Sequence, residues 1–302
     1  MHKILLATSL LLTLMPVGYS APPDFKVLMD TKSETELRAL SKQVADAYIQ
    51  HQVSRYRAHG LSPMGENQYG TGLNSDEKKA VGYHTDVPDA VDLRAYTPQR
   101  QQRPIGSIRK SHLPNVRNIN SALDKLPSAS GETIYSGRRI AWNTETQLPV
   151  LKEGDYLVNA FRPLAFTNSG DAASYFLKSK YDRIDTNKIA AMFTVENANE
   201  AKMIAPLSTI PSESEVTYKV GSAFRVKKLE LAEGTAKPLA LLELEEVDAI
   251  PFGSVMHDIH INSSWEPLSI EEISVVPEDL RVRVLASGEE VEDLEGLACF
   301  GI

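Results

Sequence analysis

Cysteine is almost absent from this 302-residue chain, with Cys299 its single thiol. A lone thiol closes no internal disulfide, so the fold must stand on its core, and Cys299 reads as a buried, inert side chain. No Gly-rich phosphate loop occurs, so neither a P-loop nor a doubly wound dinucleotide site is indicated. No Ser-His-Asp or Cys-His signature is present. An excess of basic charge is missing too: the net charge is -8. That excludes a broad electrostatic grip on nucleic acid, but not a small anion held by one or two arginines. Past residue 20 there is no apolar run long enough to cross a bilayer. His257-x-x-His260 with Asp258 supplies too few ligands at a strand-like spacing, so no metal site is expected.

What is present is ordinary for a globular protein: 42% hydrophobic and 24% charged residues. The basic start Met1-His2-Lys3 leads into the apolar stretch Ile4 to Val17 and the small residues of Gly18-Tyr19-Ser20. This pattern predicts a signal peptide over 1–20, cleaved near Ser20/Ala21, and a secreted, monomeric product without stable membrane insertion. Residues 21–33 read as a Pro-containing lead-in. Ser33-x-x-Glu36 is a capping box, and Leu37, Leu40, Val44, Ala47 and Tyr48 follow at helical spacing, predicting a helix over 34–56. Residues 60–74 read as a Gly- and Asn-rich loop and 99–112 as a basic one. Further helices are expected from Ser75, after Pro88 and over 115–126, and a helical or loop stretch across 171–181.

Strand-like runs then take over at 132–142, 164–167, 188–195, 215–220, 223–231 and 238–247, with weaker ones at 259–261, 273–276 and 280–285. Helices crowd the first half and strands the second. That grouping predicts an α+β fold with helices on a mostly antiparallel sheet. The expected division is an N-terminal helical and loop extension over 21–74, a main portion over 75–247, and a β appendage or sheet completion over 248–302.

The most informative stretch is Pro211-Ser212-Glu213-Ser214-Glu215-Val216-Thr217-Tyr218. In an extended strand residues i and i+2 share a face, so Glu213 and Glu215 would stand side by side. Two solvated glutamates at a strand end is the plain alternative. Two other pieces bear on the choice: Tyr135-Ser136-Gly137-Arg138-Arg139 and Phe166-Thr167-Asn168-Ser169. An arginine offers a fork that fits phosphate, and a carboxylate below a sugar carbon stabilises an oxocarbenium-like transition state. Together they suit a ligand that is phosphorylated at one end and glycosidically labile at the other, such as NAD. A retaining glycosidase is disfavoured, because side chains two apart on a strand sit closer than the roughly 5 Å which that mechanism uses.

The order of these pieces, with Leu207-Ser208 and Gly221-Ser222-Ala223-Phe224-Arg225-Val226, resembles the arginine-specific mono-ADP-ribosyltransferases, defined by an Arg, a Ser-Thr-Ser and a Glu-x-Glu. Lys79 to Thr85 is similar to a helical segment of that family, and the resemblance spans roughly residues 75–247. It implies an ADP-ribosyltransferase-type sheet with an N-terminal helical portion. It also implies NAD as substrate, no metal, and transfer of ADP-ribose to an arginine of a host target protein with release of nicotinamide.

By the resemblance, Glu215 holds the nicotinamide ribose and stabilises the cation, and Glu213 engages the acceptor guanidinium. Thr167 and Ser169 order the nicotinamide end, and residues 205–212 form the turn that presents the acceptor site. Ser136 stands where the family carries its arginine, so Arg138, with Arg139 behind it, is expected to grip the NAD phosphates. The implied activity is that of a secreted toxin or effector. An NAD glycohydrolase with no protein acceptor, or a non-catalytic binding protein on the same scaffold, are the alternatives.

Overall fold

The computed structural model describes residues 23–58, 69–94, 108–183, 185–260 and 267–287. Helices come first: α1 (Phe25–Thr31), α2 (Glu34–Ala58), α3 (Ser75–Asp86) and α4 (Leu113–Asp124). Then come β1 (Glu132–Asn143), β2 (Leu148–Pro149), β3 (Tyr156–Val158), β4 (Leu164–Thr167), α5 (Gly170–Tyr181), β5 (Lys188–Ala198) and β6 (Lys202–Met203). The chain continues through β7 (Glu215–Tyr218), β8 (Ala223–Leu231), β9 (Leu239–Val247), β10 (Met256–Asp258) and α6 (Ile270–Ser274). The strands join in the order β10-β3-β8-β9-β5-β1-β4-β7-β6, with β2 paired to β1. Pairing is antiparallel except for β5 with β9 and β3 with β10. The expected α+β fold with a mostly antiparallel sheet is what forms.

Local chemistry sets the helix starts. Ser33 and Glu36 cap each other ahead of α2, with the Ser33 N–H donating to Glu36 Oε2 at 2.9 Å. Asn74 and Glu77 form the same reciprocal box on α3. Ser169 caps α5, its Oγ accepting from Ala172 N at 3.2 Å. α5 then lies so close on β1 that a Cβ at Gly137 would stand 2.5 Å from Leu177 N. One face of β1 presents Tyr135 to a core with Phe25, Leu177 and Tyr181. The opposite face presents Ile134, Ile140 and Trp142 to a core with Phe166, Tyr218 and Phe224. A third core gathers Tyr56, Val81, Ile119 and Leu123 with Ile250, Met256, Ile273 and Val282. It therefore runs across both expected boundaries, at 74/75 and at 247/248.

Several expectations are corrected. The lead-in contains α1, whose first turn is held by Asp24 accepting from Val27 N at 3.2 Å. Residues 83–86 continue α3, and only a short 3-10 turn follows at Pro88–Val91. Ile273 to Val276, expected as a strand, contains the end of α6, because Ser269 and Glu272 form a capping box that outweighs the β-branched run. Residues 280–285 begin at the end of a 3-10 turn, Glu278–Leu280, and hold one isolated bridge, Ile250 to Val284, instead of a strand. The signal segment, Cys299, the acidic run 289–295 and most of the loops at 60–74 and 99–112 lie outside the described residues.

Candidate active site

Three strands bring one row of residues into line. Tyr135 of β1 faces Thr167 of β4, and Thr167 faces Glu215, the first residue of β7. Thr167 and Glu215 are 3% and 7% exposed. A buried carboxylate needs partners: Thr217 Oγ1 donates to Glu215 Oε1 at 3.1 Å, and His84 Nε2 lies 2.8 Å from the same oxygen as a close ion-pair contact. Both bind the same oxygen, so among the described residues Oε2 has no hydrogen-bond partner. The Glu215 carbonyl accepts from Ile204 N at 3.1 Å and from Gln52 Nε2 at 3.3 Å.

Glu213 does not stand beside Glu215 on a strand. It ends a 3-10 turn, Pro211–Glu213, and Ser214 follows in the left-handed region at φ 50°. The strand starts only at Glu215, because β4 gives way to α5 just past Thr167 and leaves residues 211–214 no ladder partner. Pro211, with its fixed φ, suits the start of such a turn. A non-glycine residue at positive φ costs about 1 kcal/mol or more, and such strain gathers at functional sites. Ser214 is fully buried and its Oγ has no hydrogen-bond partner among the described residues. Glu213 is half-buried, and its pKa is pushed up to about 7 by burial and by the Glu215 charge, with Arg38 of α2 opposing. The pair is therefore electrostatically linked, as like charges close together must be.

Thr167, Asn168 and Ser169 form the turn from β4 into α5. Thr167 Oγ1 accepts from Ser169 N at 3.0 Å, and Asn168 Nδ2 donates to Glu132 Oε2 at 2.9 Å. His51 of α2 meets the other oxygen of Glu132 at 2.8 Å. Tyr48 of α2 lies beside Ser169, and burial followed by the Asp171 charge raises its pKa, with Ser169 opposing.

The two arginines separate. Arg138 and Ser136 share one face of β1, while Arg139 lies on the other, paired with Asp185 at 2.9 Å. The structure therefore does not bring Arg139 to the Ser136 side. Tyr135 to Thr167 is the one ladder pair between β1 and β4, and beyond it side chains fill the gap between the strands. Ser136 Oγ and Arg138 Nη2 both donate to the Ala165 carbonyl, at 3.1 and 3.0 Å. Arg138 Nε donates to Ser136 Oγ at 2.9 Å. The guanidinium thus folds back toward residue 136. Burial, then Arg162, pulls its pKa down to about 9 against the pull of Asp258, which leaves it charged at neutral pH.

His257 and His260 have separate partners. His257 lies 3.4 Å from Asp155, and His260 accepts from Arg162 Nε at 2.9 Å. Burial and the neighbouring arginines hold the His260 pKa well below its ordinary value. Among the described residues no group of three His, Cys, Asp or Glu side chains is placed to hold a metal ion.

No protein-family model and no curated protein matches this chain. Solved structures do. The ADP-ribosyltransferase Vis in complex with agmatine superposes with a TM-score of 0.53 at 19% identity, over 80% of this chain and 99% of that one. Vis toxin from Vibrio splendidus gives 0.52 at 20%, over 82% and 100%. Vis in complex with the M6 inhibitor gives 0.53 at 21%, with the same coverage. The fold is that of the ADP-ribosyltransferases.

Within this ADP-ribosyltransferase fold, two helices ahead of the sheet reach the glutamate strand, and sequence reasoning missed both contacts. His84 of α3 binds the Glu215 carboxylate. The fully buried Gln52 of α2 donates to the Glu215 carbonyl, and its Oε1 accepts from Ala205 N at 3.0 Å. Its amide thereby clasps both ends of the turn that carries Glu213. Ser41 Oγ adds a hydrogen bond to the Ser212 carbonyl at 3.2 Å. The apolar spacing of α2 announced a helix and an inward face, but not which polar group on that face would be satisfied by residues some 150 positions away.

Proposed function

We propose that this protein is a mono-ADP-ribosyltransferase that takes NAD as substrate, moves ADP-ribose to an arginine of a target protein and releases nicotinamide. The carrying observation is the Glu215 carboxylate: buried, contacted at Oε1, with no hydrogen bond to Oε2 among the described residues, on a residue that faces Thr167 across the sheet. The bond between nicotinamide nitrogen and ribose C1′ breaks, and its electron pair leaves with nicotinamide. Glu215 stabilises the cation left on the sugar. An acceptor guanidine nitrogen attacks C1′, and Glu213 receives the proton it sheds. A guanidinium is fully protonated in water, so it needs such a partner to become a nucleophile. A carboxyl poised near 7 suits that task.

Arg138 supplies positive charge for the NAD phosphates, and Thr167 and Ser169 order the nicotinamide end. That Vis, a toxin of this fold, has been solved with agmatine, itself a guanidine, supports the acceptor class. Residues 1–20 support export, and with it a role as a secreted toxin or effector.

The test is purified protein with NAD labelled in its ADP-ribose part and agmatine as acceptor. Labelled agmatine and free nicotinamide are the expected products. Glu213→Ala should lose transfer while keeping much of the nicotinamide release, with water replacing the acceptor. Glu215→Gln should lose both by about 100-fold or more. Equal loss of both activities in Glu213→Ala would leave an NAD glycohydrolase. Neither product from the wild type would leave a non-catalytic binding protein.

A further inference from the structure

His84 enters the site from an element that lies 131 positions away in the chain, and its ring is as buried as the carboxylate it meets. The two side chains are 5% and 9% exposed, and His84 Nε2 stands 2.8 Å from Glu215 Oε1. Thr217 Oγ1 joins them, 3.1 Å from the same oxygen and 3.3 Å from the same ring nitrogen. A glutamate side chain has three rotatable bonds, and one hydroxyl hydrogen bond restrains it weakly. A second contact, from a rigid ring at 2.8 Å, changes that. α3 is anchored by its capping box and by Ala80 and Val81, which are buried in the third core. The ring is thus delivered from a fixed platform onto the first residue of β7.

We infer that His84 is a positioning residue: its ring, fixed 2.8 Å from Oε1 of Glu215, holds that oxygen by a close contact, so that Oε2 is the oxygen presented to the nicotinamide ribose. This rests on the reading of Glu215 given above. Removing the ring leaves Thr217 alone, and the carboxylate can rotate. A displacement of about 1 Å at a group that stabilises a developing charge costs on the order of 100-fold in rate. The loss should fall on kcat, because the cation exists only in the transition state, whereas ground-state binding of NAD draws on other contacts.

The test compares wild type, His84→Leu, His84→Asn, His84→Gln and Glu215→Gln in steady-state nicotinamide release from NAD, with thermal melts to establish folding. Glutamine places its amide nitrogen near the ring Nε2 position, whereas asparagine reaches only the Nδ1 position. Leu and Asn should therefore lose about 10- to 100-fold in kcat with KM for NAD within about threefold of wild type. Gln should return to within about fivefold of wild-type kcat. The inference is overturned if folded Leu or Asn keeps kcat within about threefold, if the loss appears in KM alone, or if Gln fails as badly as Leu. A wild type that releases no nicotinamide, or a Glu215→Gln variant at full rate, overturns the reading of Glu215, a result visible without any His84 variant.

Discussion

Glu213 should be a liability for stability at the pH where it is useful. Its pKa rises from the ordinary 4.5 to about 7, with burial the larger cause and Glu215 the second. In the folded state the carboxyl holds its proton over a range where the unfolded chain has lost it. Stability is therefore fully present below about 4.5 and is lost as pH rises through about 7. At about 1.36 kcal/mol per unit, the ceiling is about 3 kcal/mol. Solvent reaches part of this half-buried carboxylate, which brings the expected figure to about 1–2 kcal/mol. Glu213→Gln keeps the shape and removes the charge. At pH 8 the variant should be more stable than wild type by that amount, or roughly 3–6 °C in melting temperature for a chain of this size. At pH 5 roughly a quarter to a half of the gain should remain. Paired urea and thermal unfolding at the two pH values measures this. A wild-type-minus-variant difference that is the same at pH 5 and pH 8 would refute the reasoning. In the same variant, transfer to agmatine should fall sharply, so the more stable protein is the poorer transferase.

Gly137→Ala drives a Cβ to 2.5 Å from the backbone nitrogen of Leu177, so α5 must lift from β1. Thermal melts should show a loss of about 2–3 kcal/mol, and an unchanged midpoint would contradict the close contact. Gln52→Ala leaves Ala205 N and the Glu215 carbonyl each short of a partner; chemical denaturation should show a cost of about 2–3 kcal/mol. Arg138→Lys cannot bond Ser136 Oγ and the Ala165 carbonyl with the same planar fork. KM for NAD in the nicotinamide-release assay should rise about 10-fold, and an unchanged KM would remove Arg138 from phosphate binding.

Much of the fold was legible because it depends on near neighbours. The capping box at Ser33 and Glu36 announced α2, and β-branched runs announced β4, β5 and β8 within a few residues of their ends. A comparable box at Ser269 and Glu272 marked α6, but the apolar run Ile273 to Val276 was read as a strand instead. Strand alternation puts Arg138 with Ser136, since the pleat has a period of two, and the same period turns Arg139 away from the phosphates it was expected to help hold, toward Asp185. Which face would meet β4 was beyond it, because that depends on how three cores pack.

The carboxylate pair was visible as Glu-x-Glu, yet its geometry was not. A strand needs a partner, and β4 ends at Thr167, so Glu213 falls on a turn and Ser214 takes a left-handed conformation. By itself the sequence determined that helices precede a mostly antiparallel sheet, the residue types at the site and the charge each could carry. Only the tertiary structure decided that His84 and Gln52 converge on Glu215, and that burial beside Glu215 raises Glu213 to about 7. Hydrogen bonding and desolvation act over a few ångströms in space, and they are indifferent to the hundred or more residues of chain between the partners.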